Sequence, residues 1–324
     1  LEKVYTGGCM LLEKIMYVYS DTVNNTNALE KAVKLAQHAQ AKLTVLFTLS
    51  EDTLPDNLGF SKAEISEFIE QKEQEREAVI SQYAGDITIE KESIFSNKYL
   101  EVINKVKSDK YNLIIKPQED EGLLSKLFGS NDMGFLRHCP CPVWIIKEDK
   151  QTPSNSIIAA VDVSSDYPEE EKVIREKLNV DVLRAASSLA AAKGYKVKVV
   201  SVWTAQYENT MRRFEFLPKS ENVVDIYLEE QKTLHYQDLE AFMQTAKSEL
   251  GEDIFEFVAP EKVSLKGEPR DILPEYANQI AANLVVMGTV ARVGIPGLII
   301  GNTAESILNR LNCSVLAIKP RGFE

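Results

Sequence analysis

Short apolar runs recur along this chain and alternate with longer segments in which apolar residues return at helical spacing. In the first half the runs are Lys14–Ser20, Leu43–Leu49, Ile87–Phe95, Leu113–Ile115 and Val143–Ile146. Runs that are continuous rather than alternating are typical of strands covered on both faces, as in a parallel sheet. The pattern therefore predicts an α/β fold, with helices on both sides of a mostly parallel sheet.

The segments between these runs predict the helices. Asn27–Gln40 has one apolar face, and Ser61 with Glu64 has the spacing of a capping box that opens a helix to about Tyr83. The buried positions of that long helix are predicted to be Ile65, Phe68, Ile69, Val79 and Ile80. Shorter helices are predicted over Tyr99–Ser108 and Asp132–His138.

The same order of elements is predicted again from Ser156 onwards. The strands are Ile157–Val161, Val197–Trp203, Phe255–Leu265, Leu284–Met287 and Val315–Ile318. The helices are Val180–Lys193, which Gly194 closes, Val223–Leu250, a short helix that starts at Pro269, and one that opens at Asn302.

The two halves also match position by position. A constant offset of 172 residues pairs Leu113 with Val285, and it also holds for Gly129 with Gly301, Cys141 with Cys313, Val143 with Val315 and Lys147 with Lys319. Such constancy indicates a duplication. The sequence therefore predicts two tandem doubly wound five-stranded parallel-sheet domains, 13–148 and 156–320, joined by the linker Glu148–Asn155.

A glycine-rich loop, Gly288–Gly301, connects a strand to a helix in the second half. Its glycines allow positive φ and a close approach of the backbone to a ligand, and a helix N-terminus attracts anions. Asn302 and Glu305 have the spacing of a capping pair, which predicts that Asn302 caps this helix. The loop by itself is equally compatible with glycines that only turn the chain.

The residues Gly288-Thr-Val-Ala291, followed by Gly301-Asn-Thr-Ala-Glu, resemble the C-terminal signature of the universal stress protein family. In that family the pattern Gly-x2-Gly-x9-Gly-Ser/Thr cradles the phosphates of ATP. This chain departs from it at Ala291, which replaces a glycine, and at Asn302, which replaces Ser or Thr. Together with the sequence of residues 135–144, the pattern is similar to that of the tandem, E-type members of the family. The resemblance implies an adenine-nucleotide alpha hydrolase-like fold.

The resemblance also implies a nucleotide site in the second half. Its residues would be Asp162, which follows the first strand, and Val202 near the base, with the phosphates close to Gly288, Arg292, Gly301, Asn302 and Thr303. The implied cofactor is ATP with Mg²⁺. Asp162 has a second interpretation, as a carboxylate that caps the following turn.

The first half is an internal comparison for this site. Lys116 and Glu119 stand opposite Gly288 and Ala291, and Asp120 and Glu121 follow in the same loop. Since carboxylates repel phosphate, the first domain is predicted to have a degenerate loop without the phosphate motif. We therefore expect at most one nucleotide per chain.

Composition and charge restrict the classes of function. The 324 residues carry a net charge of −12 with a pI near 5.0, which opposes binding to nucleic acid or anionic lipid. No apolar stretch approaches the length of a membrane span, so a cytoplasmic protein is expected.

Cys139 and Cys141 are expected to be buried and structural. His38, His138 and His235 belong to no recognisable catalytic motif, and His235 is interpreted as a packed or interfacial residue because it shares a helical stripe with Leu239, Phe242 and Ala246.

These observations favour a non-enzymatic stress-response regulator or ligand sensor, with weak ATP binding in the second domain. Two alternatives stay open: a slow ATP hydrolase, and a carrier or sensor of a different small ligand, including an apolar one. The two domains are expected to form an internal pseudo-dimer through Val143–Ile146 and Val315–Ile318. A homodimer is left open, and neither nucleic acid nor a membrane is expected as a partner.

Overall fold

The computed structural model describes residues 12–48, 61–83, 87–94, 98–119, 128–148, 154–213, 220–289 and 300–320. These residues belong to two compact units whose boundary lies between Glu148 and Asp149. Each unit contains one parallel sheet with helices packed on it.

In the first unit, strands and helices alternate from β1 to β5. The elements are β1 (Lys14–Ser20), α1 (Thr26–Ala39), β2 (Lys42–Thr48), α2 (Lys62–Ser81), β3 (Ile89–Ile94), α3 (Tyr99–Asp109), β4 (Leu113–Pro117), α4 (Ser130–His138) and β5 (Val143–Ile146). The strand order is β3-β2-β1-β4-β5, and the register places Ile15 beside Leu43 on one side and Leu113 on the other. All these pairings are parallel.

The second unit repeats this arrangement. Its elements are β6 (Ser156–Ala160), α5 (Glu169–Lys193), β7 (Lys196–Trp203), α6 (Glu208–Arg213), α7 (Glu221–Leu250), α8 (Glu252–Val258), β8 (Glu261–Lys266), α9 (Pro269–Gln279), β9 (Leu284–Gly288), α10 (Asn302–Leu308) and β10 (Ser314–Ile318). The strand order is β10-β9-β6-β7-β8, and the pairings are parallel.

Burial explains why these segments form strands and helices. Strands β4, β5, β9 and β10 are buried on both faces, as their continuous apolar runs predict. Helix α1 buries the five apolar residues of its predicted stripe, which are Ala28, Leu29, Ala32, Val33 and Ala36. The predicted α/β class with two doubly wound parallel sheets is confirmed.

Local signals set several helix ends as predicted. The Ser61 hydroxyl accepts the Glu64 amide, and the Glu64 carboxylate accepts the Ser61 amide at 2.8 Å, so the capping box is formed. Gly194 has a φ of +66° and closes α5. In α2 Ile80 is buried while Phe68, Ile69 and Val79 are half-buried; the side chain of Ile65 lies outside the described residues.

Two element predictions were wrong. Helix α5 begins at Glu169 rather than Val180, because the acidic first turn after Pro168 complements the helix N-terminus although it has no apolar stripe. The predicted strand Phe255–Leu265 is helical over its first part, since α8 continues to Val258 before β8 begins at Glu261. The short helix α6 was not predicted; none of its residues is buried, so it carries no apolar pattern.

Cys139 and Cys141 are buried free thiols with their Sγ atoms 3.5 Å apart. Among the described helices, none has a stretch apolar and long enough to cross a membrane.

Candidate functional site

A cavity of about 1110 Å³ lies at the carboxyl ends of the strands in the second unit. This is the edge at which parallel α/β sheets bind ligands. Six of the seven predicted site residues line it: Asp162, Val202, Gly288, Gly301, Asn302 and Thr303. The seventh, Arg292, lies outside the described residues, as do Ala291, Gly294 and Gly297.

Asp162 follows β6 and is held in place by its neighbours on α5. Its amide donates to Asn179 Oδ1 at 3.1 Å, and Asn179 Nδ2 donates to the Asp162 carbonyl at 2.8 Å. The carboxylate caps the next turn, since Oδ1 accepts the Ser164 amide at 3.2 Å. Asp162 therefore has the turn-capping contact of its second interpretation, and it lines the cavity as well.

The other oxygen of Asp162 is engaged by two side chains from the acidic segment 164–177. Oδ2 accepts the Tyr167 hydroxyl at 2.8 Å and Arg175 Nη1 at 3.0 Å. The Arg175 guanidinium lies 3.8 Å from the centre of the Tyr167 ring and also donates to Glu171 at 2.6 Å. Burial, and then the nearby Asp162 carboxylate, raise the pKa of Tyr167, so its hydroxyl stays a donor at neutral pH. Sequence reasoning missed Tyr167 and Arg175.

Packing rather than backbone conformation favours glycine at position 288. A Cβ atom at this position would lie 2.5 Å from Cδ2 of Leu178 on α5, closer than real contacts allow. Among the described glycines, positive φ occurs at Gly194, Gly251 and Gly267, and Gly301 has an extended φ of −73°. Neither Gly288 nor Gly301 therefore uses the positive φ that a glycine allows.

The N-terminus of α10 forms the part of the cavity wall that is predicted to face phosphate. The N-cap residue is Gly301, and Asn302 is the first helical residue, so the prediction that Asn302 caps the helix was wrong. No side chain caps this end, which leaves first-turn N–H groups without an intrahelical acceptor. The Gly301 amide itself donates to the Thr289 carbonyl at 3.0 Å and closes the base of the loop.

Helix α7 and the end of β7 form another wall of the cavity. Val202, Trp203, Leu234, His235 and Asp238 line it. The Trp203 and His235 rings lie 6.2 Å apart. His235 is buried, as predicted, but the helical stripe could not show that it also reaches a cavity. Predicting that His235 faces the cavity would have required knowing that α7 packs against the end of β7.

The charged side chains that line the cavity are mostly acidic. Arg175 and Arg270 are the basic residues among the described lining, and the acidic ones are Asp162, Asp166, Glu171, Asp238 and Glu268. Arg175 is paired with two of these acids. Excess negative charge opposes a bare polyphosphate, so a bound nucleotide would need a divalent cation as its counterion. No group of three potential metal ligands occurs among the described residues.

The first unit has an ion pair at the corresponding position. Lys116, opposite Gly288, is fully buried; it contacts Asp132 closely and Glu119 at 2.9 Å. Burial lowers the pKa of Lys116, but the two carboxylates outweigh it and raise the pKa above its usual value. Asp132 lies in the first turn of α4 and also accepts the Glu119 amide at 3.2 Å. At this position of the first unit, the carboxylates of Asp132 and Glu119 thus take the place that a phosphate would have, and Lys116 takes the place of its donors.

A second charged contact lies nearer the outer strands of the first unit. Arg76 of α2 is 5% exposed, lies 4.6 Å from the centre of the Phe47 ring and donates to Asp21 at 3.2 Å. Asp21 is the acid that follows β1, as Asp162 follows β6. Its carboxylate is therefore engaged by a buried cation of its own unit.

Comparison with known proteins agrees with this architecture. The sequence model of the universal stress protein family matches this chain twice, over residues 12–147 and over residues 177–319. A Universal stress protein E homolog from Haemophilus influenzae is 27% identical over 325 residues, covering 96% of this chain and 98% of that protein. Universal stress protein E of Escherichia coli K12 is 24% identical over 321 residues, covering 97% of this chain and 96% of that protein.

Solved structures share the fold over nearly the whole chain. A functionally unknown protein from Pseudomonas aeruginosa PAO1 has a TM-score of 0.64 at 20% identity, covering 100% of this chain and 96% of that one. A universal stress protein from Archaeoglobus fulgidus has a TM-score of 0.60 at 16% identity, covering 94% and 98%. The family match over both halves supports a stress-response role. The chain belongs to the universal stress protein family and carries two of its domains in tandem.

Proposed function

We propose that this protein is a cytoplasmic, non-enzymatic regulator or sensor in the stress response that binds one Mg-ATP in its second domain. The observation that carries the proposal is the cavity at the carboxyl ends of β6, β7 and β9. It brings together six residues that the sequence resemblance assigns to a nucleotide, and its volume of about 1110 Å³ can hold one.

The position of the phosphates is supported by the uncapped start of α10. The exposed side chains of Asn302 and Thr303 and the free first-turn amides offer donors there, whereas the corresponding place in the first unit contains the Lys116–Asp132 pair. The acidic lining makes binding weak and dependent on Mg²⁺. A stoichiometry of one nucleotide per chain follows from this asymmetry.

The test is calorimetric titration of the whole chain with Mg-ATP. Gly301→Asp places a carboxylate beside the proposed phosphate position and should abolish binding. Because Gly301 is an N-cap residue and Asp is favourable at N-caps, the variant should still fold. Gly129→Asp makes the same change at the N-cap of α4 in the first unit and should leave binding unchanged.

Three results would contradict the proposal: no binding by the unaltered chain, two sites per chain, or equal loss in both variants. ATP hydrolysis that persists in Gly301→Asp would exclude this cavity as a hydrolase site. Native mass spectrometry of freshly purified protein distinguishes a carrier of a different small ligand, because a co-purified mass other than a nucleotide would identify that class.

We also propose that the two units form an internal pseudo-dimer through β5 and β10. The support is the duplication itself, since each half ends in an equivalent apolar strand.

A further inference from the structure

His235 has a hydrogen-bonding atom that the protein leaves unpaired. The residue is 8% exposed and lines the cavity, and its Nε2 atom has no hydrogen-bond partner. Leu239, Phe242 and Ala246, which share its helical stripe, are apolar core residues that need no partner. A buried nitrogen without a partner is costly, so it indicates a group that a ligand or an ordered water can satisfy.

The surroundings determine whether Nε2 donates or accepts. Burial lowers the pKa of His235, while the Asp238 carboxylate, a hydrogen bond with the Ser201 backbone and the Asp162 carboxylate oppose the shift in part. The ring is therefore neutral at pH 7. Since Nε2 has no partner and the Ser201 backbone favours a protonated ring nitrogen, we assign the single proton of the neutral ring to Nδ1. Nε2 is then an acceptor that awaits a donor.

The donor must approach from the end of the cavity where a base is expected. His235 lies beside Trp203, next to Val202, and Asp238 adds a second acceptor one helical turn away. Nε2 is itself covered, so a donor reaches it once the half-exposed Trp203 changes rotamer while the His235 ring keeps its orientation toward Ser201. A hydrogen-bond acceptor in this wall matches the exocyclic amino group of adenine, which is a donor.

We propose that Nε2 of His235 accepts a hydrogen bond from the exocyclic amino group of adenine and so selects adenine over hypoxanthine. This inference rests on the nucleotide site proposed above. Hypoxanthine carries a carbonyl oxygen in place of that amino group, and two acceptors facing each other cannot bond. Leaving a buried acceptor unpaired costs about tenfold or more in affinity.

The experiment compares Mg-ATP, Mg-ITP and Mg-GTP by calorimetry on the whole chain. The unaltered protein should bind ATP about tenfold or more tightly than ITP. His235→Phe removes the acceptor and should bring the two affinities together, whereas His235→Gln keeps an acceptor and should retain part of the difference. His38→Phe, on the exposed side of α1, is the control and should change nothing.

Nitrogen-15 NMR of the histidine rings gives a readout that packing alone would not change. The chain has three histidines, and ATP but not ITP should shift the Nε2 resonance of His235. Equal binding of ATP and ITP, tighter binding of GTP, or full discrimination in His235→Phe would overturn the inference while the nucleotide proposal stands. Failure to bind any of the three would overturn both.

Discussion

The ion pair of Lys116 and Asp132 allows a quantitative test of the idea that the first unit has replaced a ligand with its own charges. Asp132→Asn keeps the shape of the side chain and removes its charge. Both partners are 0% exposed, so the Lys116 ammonium would stay buried near the Phe135 ring, 5.4 Å from its centre. Glu119, at 2.9 Å, would be its remaining acid.

The magnitude follows from burial. Removing one partner of a buried ion pair costs about 3–5 kcal/mol, because the other charge is left uncompensated. Glu119 remains in contact and is 22% exposed, which places the expected loss at the low end, about 3 kcal/mol. The matched surface change is Glu30→Gln, which breaks the exposed pair with Lys34 and should cost less than about 0.5 kcal/mol.

Urea denaturation of the whole chain measures both values. The chain has two tryptophans, Trp144 in the first unit and Trp203 in the second, so a Trp203→Phe background leaves Trp144 to report on the first unit. If Asp132→Asn costs no more than Glu30→Gln, the buried pair does not stabilise this unit and the reasoning is refuted.

The pH dependence has a definite sign. The pKa of Lys116 is raised above its unfolded value of 10.5, so its contribution is fully present below that pH. It is lost only as the pH rises through the higher folded value. The contribution of Lys116 to stability should therefore be constant between about pH 6 and 9.

Two further predictions follow from packing and from the repeat. Gly288→Ala should destabilise the second unit by about 1–3 kcal/mol in the same denaturation assay, because the new Cβ overlaps Leu178. Adding Leu178→Ala to this variant should recover part of the lost stability. If Gly288→Ala is as stable as the unaltered chain, the contact with Leu178 is contradicted. If the two units pack as an internal pseudo-dimer, small-angle scattering should show a compact particle. The particle mass from the same data shows whether two chains form a homodimer. A scattering profile typical of an elongated particle would disprove the pseudo-dimer.

Most of the fold could be predicted because its signals are local or repeated. The strand Lys14–Ser20 was predicted with its observed bounds, since a run of apolar residues is enough to mark a central strand. The first turns of α5 could not be placed in the same way, because segment 164–177 is acidic and its helix depends on propensity and on Arg175 pairing with Glu171. Phe255 is of a residue type that is common in strands. It lies in the helix α8 because tertiary packing overrides this local preference.

The residues of the candidate site also differ in whether local sequence signals or tertiary packing determine their positions. Asp162, Val202 and Gly288 could be placed together from sequence because each stands at the carboxyl end of a parallel strand, and those ends meet at one edge. Tyr167 and His235 could not, because their positions depend on how a helix or loop packs across that edge. The same limit applies to Arg76, whose contact with Asp21 joins α2 to the end of β1.

Arg76 and His235 show why the duplicated domains differ in what they can bind. Each is a buried polar residue on the long helix that precedes the last outer strand of its sheet, and each lies beside an aromatic side chain of the second strand of its unit. The Arg76 guanidinium reaches Asp21 and contributes a full charge that the unit itself neutralises. His235 is neutral at pH 7 and its Nε2 has no partner. Arg76 Nε is also buried without a hydrogen-bond partner, so the difference between the two residues lies in charge. The first unit neutralises the Arg76 charge with its own Asp21, whereas the neutral His235 leaves an acceptor in the cavity of the second unit, where we propose that the ligand binds.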